Sequence, residues 1–179
     1  MNNQYRYFRS TPQPTSPAMP TKPKHTKRNI GIIVAVVVIA IIALALGMGS
    51  ATSGPTYVTQ STTVFSGSAA VNPSSYYYIT FNVPSNAINV QLSINLEASG
   101  GSGNDIRLYV MSYTDFINWQ NGHTVSPYYS TGQETAFNTV VNLPNGGGTY
   151  VVVFDNTFSI FSSKTVTGTI TLTYQVPSS

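Results

Sequence analysis

The sequence predicts an all-β fold, an antiparallel β-sandwich or jelly roll of about eight strands, preceded by one transmembrane α-helix. Three observations carry this. The run Ile30–Met48 contains no polar side chain and follows directly on Lys22, Lys24, Lys27 and Arg28. From residue 57 onward Val, Ile, Thr, Tyr and Phe recur with a period of two, as strands with one wet face require. Clusters of Gly, Pro, Asn and Ser break that alternation into short runs.

The elements follow in order. Residues 1–29 hold Pro12, Pro14, Pro17, Pro20 and Pro23 among Ser, Thr and Gln. Such a segment has little to bury and reads as a disordered, basic cytoplasmic tail with polyproline character. It could dock a cytoplasmic partner, but solubilising the chain and orienting the span suffices. Residues 30–48 form the span, because nineteen residues at ~1.5 Å each reach ~28 Å, close to the bilayer hydrocarbon. Six of the eight basic residues precede it and no acid does, which holds the tail in the cytoplasm and against anionic headgroups. The run exceeds the ~7–15 apolar residues of a cleaved signal, so it reads as a retained anchor. The small residues Gly47, Gly49, Ser50 and Ala51 are nonetheless compatible with cleavage. Residues 49–56 are a linker.

Strands are expected near Tyr57–Ser66, Tyr76–Val83, Ile88–Ala98, Ile106–Ser112, Tyr128–Thr131, Thr135–Leu143, Thr149–Asp155 and Lys164–Val176. Residues 57–176 then make one extracytoplasmic domain, with 177–179 a tail. The one helical candidate is Thr114–Gln120, capped by Thr114 or Asp115 and ended by Gly122. The chain has no cysteine, so the domain must rely on its core rather than on disulfides.

Charge is divided. The whole chain is +3. Beyond the span, Glu97, Asp105, Asp115, Glu134 and Asp155 face only Arg107 and Lys164. A weakly acidic outer domain gives no reason to expect nucleic-acid binding. Catalysis is not expected either. The outer domain has one histidine, His123, which as a base would need Asp115 or Glu134 and otherwise reads as an exposed loop residue. Five scattered acids do not make a glycosidase pair, and the ligand set does not make a zinc site. Asp105 or Asp155 could join backbone carbonyls around calcium, but no Asp-x-Asp spacing supports it. No cofactor is expected.

Aromatic residues are the binding candidates: Trp119, Tyr128, Tyr129, Phe158 and Phe161. Exposed among Asn, Gln and Ser, they could stack on sugars or anchor a protein partner. The alternatives are ordinary: Trp119 as core, and the 157–163 loop as a plug closing one end of the sandwich. In Tyr76-Tyr77-Tyr78 and Tyr128-Tyr129, one residue of each adjacent pair should face solvent. Asp155-Asn156 should cap a turn, with Lys164 across the loop as a partner for Asp155.

The segment Tyr150–Tyr174 (YVVVFDNTFSIFSSKTVTGTITLTY) resembles the last two strands of the Golgi-dynamics (GOLD) domain family. The matching positions are Phe154, Asp155, Asn156, Ser159, Phe161, Ser163, Lys164, Thr165 and Tyr174. Asn104–Gly122 looks like the same family's middle, a strand followed by a short aromatic helix. A weaker likeness, over Tyr76–Val110, is to bacterial pre-peptidase C-terminal domains. The GOLD resemblance implies a non-catalytic interaction module in which Phe154, Asp155, Asn156 and Lys164 are structural. The trafficking members carry the domain before a C-terminal span, with a coiled coil and paired cysteines. This chain has the opposite order and neither feature.

The expected function is therefore a single-pass membrane protein, held in the lipid bilayer through Ile30–Met48. It would present a β-sandwich to a protein or glycan partner outside the cell. A pilin-like filament subunit shares the order of apolar helix and sandwich, and would be cut just before the apolar run. Arg28-Asn29-Ile30-Gly31 is a poor match to such a site. A membrane-anchored carbohydrate-binding module is the third reading.

Overall fold

The computed structural model describes residues 54–178. The expected tail, membrane helix and most of the linker lie outside the described residues. Among those described, no helix is long and apolar enough to cross a membrane.

Eight strands and one helix follow one another: β1 Tyr57–Val71, β2 Ser75–Val83, β3 Ile88–Ser99, β4 Arg107–Ser112, α1 Tyr113–Gln120, β5 Tyr129–Ser130, β6 Ala136–Asn142, β7 Gly148–Asn156 and β8 Lys164–Pro177. They form two four-stranded antiparallel sheets, ordered β1-β8-β3-β6 and β2-β7-β4-β5. Within these sheets β1 pairs with β8, β2 with β7, β3 with β6 and β4 with β5. That nested pairing is one long antiparallel ribbon folded over on itself, which is the wrapping of a jelly roll.

The alternation in sequence explains the core. In β3, Val90, Leu92, Ile94, Leu96 and Ala98 are buried, while Gln91, Ser93, Asn95 and Glu97 are exposed. Ile79, Phe81, Leu108, Val110, Val152 and Phe154 meet them from the other sheet in one continuous cluster. Burying such a side chain is worth about 1.5–3 kcal/mol, so this cluster dominates the stability. Strand β7 breaks the alternation, because every residue from Tyr150 to Asn156 is buried. Its second face lies under α1. There Phe116 and Trp119 cover Met111, Val151 and Val153, with Tyr76, Tyr78 and Tyr109 around them.

Several expectations need correction. Strand β1 does not stop at Ser66 but pairs with β8 as far as Val71, after a register shift between Thr63 and Phe65. Strand β5 keeps only Tyr129 and Ser130. Ile106 is bridged to Glu134 outside any strand. The helix begins one residue early. Its cap is Ser112, whose hydroxyl accepts the Asp115 N–H at 3.0 Å, so neither Thr114 nor Asp115 is the cap. Neither Tyr76 nor Tyr78 is fully exposed, because α1 occupies the face on which both lie.

Register fixes what each end of the sandwich carries. Tyr57 pairs with Pro177, so the two chain ends of the domain lie together. The turns at 84–87 and 143–147 lie at this terminal end. Val71 pairs with Lys164 and Ser75 with Asn156, so the loops at 72–74, 100–106 and 157–163 crowd the opposite, loop end.

Candidate functional site

The loop end is built on the Phe154-Asp155-Asn156 segment of β7 and the start of β8. Phe154 is fully buried, edge-on to Phe65 and stacked on Tyr77 at 5.8 Å. Asn156 is also fully buried. Its Nδ2 donates to the carbonyls of Val71 (3.2 Å), Asn72 (3.1 Å) and Ser162 (2.9 Å). One side chain thus joins the 72–74 turn to the 157–163 loop. Its Oδ1 has no partner. Asp155 Oδ1 accepts the Thr157 N–H at 2.8 Å, an Asx turn that starts the loop.

The charges pair differently from the sequence expectation. Lys164 is not the partner of Asp155. Its Nζ, on a side chain only 3% exposed, lies 2.5 Å from Asp105 Oδ1. Asp155 faces Arg107 at 4.0 Å, its cross-strand neighbour on β4. The two strand faces explain the exchange. Lys164 shares the inward face of β8 with Val166, whereas Asp155 shares the outer face of β7 with Val151 and Val153. Phe158 lies beside both cations, 4.9 Å from the Arg107 guanidinium and 6.0 Å from Lys164 Nζ. The 100–104 loop closes on the same cluster. A Cβ at Gly100 would sit 2.7 Å from the Ser163 carbonyl oxygen, so only glycine allows that approach.

The aromatic candidates do not converge. Phe158 is half-buried within the loop end, while the next apolar pair projects from it, Ile160 at 71% and Phe161 at 91% exposure. Trp119 is half-buried on α1, edge-on to Tyr76 at 5.0 Å. Tyr128 is exposed, with its ring 5.7 Å from Tyr150. Tyr129 is partly buried against the main core. Burial raises the phenol pKa values of Tyr77, Tyr109 and Tyr150. At Tyr109 the Asp155 charge adds to the rise and Arg107 opposes it. His123 is exposed. Among the described residues no three His, Asp or Glu side chains are grouped as metal ligands.

The terminal end holds a feature that residue-by-residue reading missed. An open groove of about 380 Å³ crosses the edge of sheet β1-β8-β3-β6. Its rim carries Asn89, Gln91, Asn142, Asn145, Thr173 and Gln175, and Val90, Leu143 and Tyr174 also line it. One extra residue in β3 lies in its lining. Ile88 pairs with Gln175 and Gln91 with Thr173, so a bulge falls at Asn89-Val90. Asn89 adopts a left-handed φ of 52° there. The amides hold one another. Asn89 Nδ2 donates to Gln175 Oε1 at 2.7 Å, Gln91 Nε2 to Asn142 Oδ1 at 3.2 Å, and the Asn89 N–H to Asn145 Oδ1 at 2.8 Å. The only sequence signal is the density of Asn and Gln in three separated stretches, at 89–91, 142–145 and 175.

The chain matches no protein-family model and no curated protein.

Proposed function

We propose that this chain is a single-pass, N-inside membrane protein that presents a GOLD-like, non-catalytic β-sandwich outside the cell membrane as an interaction or structural module. The observation that carries the reading is the apolar run Ile30–Met48 with its one-sided basic flank. The domain's geometry suits it. The described chain enters at the terminal end, through residues 54–56 into β1. Strand β1 then runs fifteen residues to the loop end, roughly 50 Å at ~3.3 Å per residue. The exposed Ile160 and Phe161 would thus stand on the end away from the bilayer, where a partner on another surface meets them first.

The absence of cysteine makes the topology easy to test. Ser68→Cys places a thiol on the exposed face of β1, and Ser10→Cys places one in the basic tail. A membrane-impermeant maleimide applied to intact cells should label the first variant and spare the second until the cells are opened. Labelling of the tail alone would overturn the orientation. Recovery of the domain in the medium, free of its apolar run, would overturn the anchor.

A further inference from the structure

We infer that the amide-rimmed groove at the terminal end is a binding site for a neutral saccharide. The inference goes beyond the proposed function and does not depend on the domain's topology. It starts from hydrogen-bond capacity. Each Asn or Gln amide offers two donors and an acceptor with two lone pairs. The contacts among the groove amides use only part of that capacity. Among the described residues, Asn89 Oδ1, Gln175 Nε2, Gln91 Oε1, Asn142 Nδ2 and Asn145 Nδ2 make no side-chain hydrogen bond. The bonds already formed orient each amide before a ligand arrives, which lowers the entropy cost of binding. The groove therefore displays donors and acceptors interleaved over a few ångströms. A sugar hydroxyl donates and accepts at once, so a ring bearing several adjacent hydroxyls complements this display better than a purely accepting or purely donating ligand does.

Charge narrows the class. No Asp, Glu, Lys, Arg or His lines the groove, so no counter-ion is offered to a phosphate, a sulfate or a uronic acid. Tyr174, half-buried, shows part of its ring among the polar rim, suited to the C–H face of a pyranose, while Val90 and Leu143 are buried beneath. The groove is open rather than closed, and it leads onto the outer face of its own sheet. On that face β8 shows Thr165, Thr167, Thr169, Thr171 and Thr173 in register with Ser99, Glu97, Asn95, Ser93 and Gln91 of β3. A chain of sugars can leave the groove along this hydroxyl-rich strip, with the exposed Val140 of β6 beside it. None of Trp119, Tyr128, Tyr129, Phe158 and Phe161 lines the groove, so a site here stands on its amides, with Tyr174 as the one aromatic among its lining residues.

The test uses the full chain in a zwitterionic detergent without a sugar headgroup. Maltohexaose, cellohexaose and mannohexaose serve as neutral probes, read by saturation-transfer NMR. Transfer to the ring protons of at least one probe is expected. Asn89→Gly keeps the left-handed backbone while removing the amide, and Gln91→Ala with Asn142→Ala removes the second pair. Each should weaken binding about tenfold or more, the loss of one or two oriented hydrogen bonds. Thr80→Ala, on the exposed face of the other sheet, should bind within twofold of the parent. Circular dichroism confirms that each variant is folded, and Gln175→Ala replaces either one that is not. No transfer to any of the three probes overturns the inference, as does transfer that the groove variants leave unchanged. Failure of either kind leaves the maleimide experiment unaffected.

Discussion

Asn156 shows how much one side chain can hold at an end of a sandwich. Its amide nitrogen serves three backbone carbonyls from two separate loops, and it is fully buried. Removing it takes a donor from all three: the Ser162 oxygen keeps the Ser159 hydroxyl, but the Val71 bond lies buried away from water. Each buried unsatisfied group costs about 1–3 kcal/mol. Asn156→Ala should therefore destabilise the domain by about 3 kcal/mol, read as a lower urea midpoint at unchanged slope. Asn156→Asp should be at least as damaging, because a carboxylate turns acceptors toward acceptors. A loss below about 1 kcal/mol would mean that the two loops do not depend on this pin. Sequence reading marks Asp155-Asn156 as turn-forming, and that much is local chemistry. It does not reveal that Asn156 reaches residues some 85 positions away. Lys164 teaches the same lesson. Its nearer acid along the chain is Asp155, yet its partner is Asp105, because the two sheet faces separate the first pair and join the second.

At the scale of elements, β7 and β8 carry the architecture. Strand β7 lies between β2 and β4 in one sheet and is covered on its second face by α1, which accounts for its unbroken apolar run. Strand β8 lies between β1 and β3 in the other, and alternates because its outer face is wet. At its centre Gly168 sits opposite Gly67, with φ at 139°. A Cβ on Gly168 would fall 2.2 Å from the carbonyl oxygen of Asn95, so β3 could not keep its distance. Gly168→Ala should cost about 3 kcal/mol or more by combining overpacking with a strained backbone. Thermal unfolding of the variant checks this, and an unchanged midpoint would show that the sheet opens there freely. The serine at position 112, missed as the cap from sequence, illustrates the limit of local rules. Thr114 and Asp115 carry equally good capping groups, and only the end of β4 decides which oxygen meets the first free N–H.

For the whole molecule, the absence of disulfides leaves stability to the core between the sheets and the smaller cluster under α1. Both include tyrosines, and this gives the domain an alkaline limit. Burial raises the pKa of Tyr77, Tyr109 and Tyr150 above the ordinary value of 10.0. An unfolded chain then releases these protons first as pH rises. The contribution to stability is complete below pH 10 and is lost as pH climbs through the raised folded values. The urea midpoint should be level between pH 7 and 9 and fall beyond about 10. Tyr77→Phe and Tyr150→Phe should flatten that fall, and an identical fall in the double variant would place its cause elsewhere.

The sequence alone tells that residues 57–176 are all-β, roughly where the strands lie, and that an apolar run and a basic flank precede them. These are local properties. Side chains alternate because the strand repeats every two residues, and Gly, Pro and Asn turn the chain wherever they stand together. Tertiary structure alone decided the strand order, the double burial of β7, the pairing of Lys164 with Asp105 and the assembly of one groove from amides on separate strands. Each depends on which segments meet across tens of residues, and that choice is made by the packing of two sheets at once. No short stretch of the chain records it.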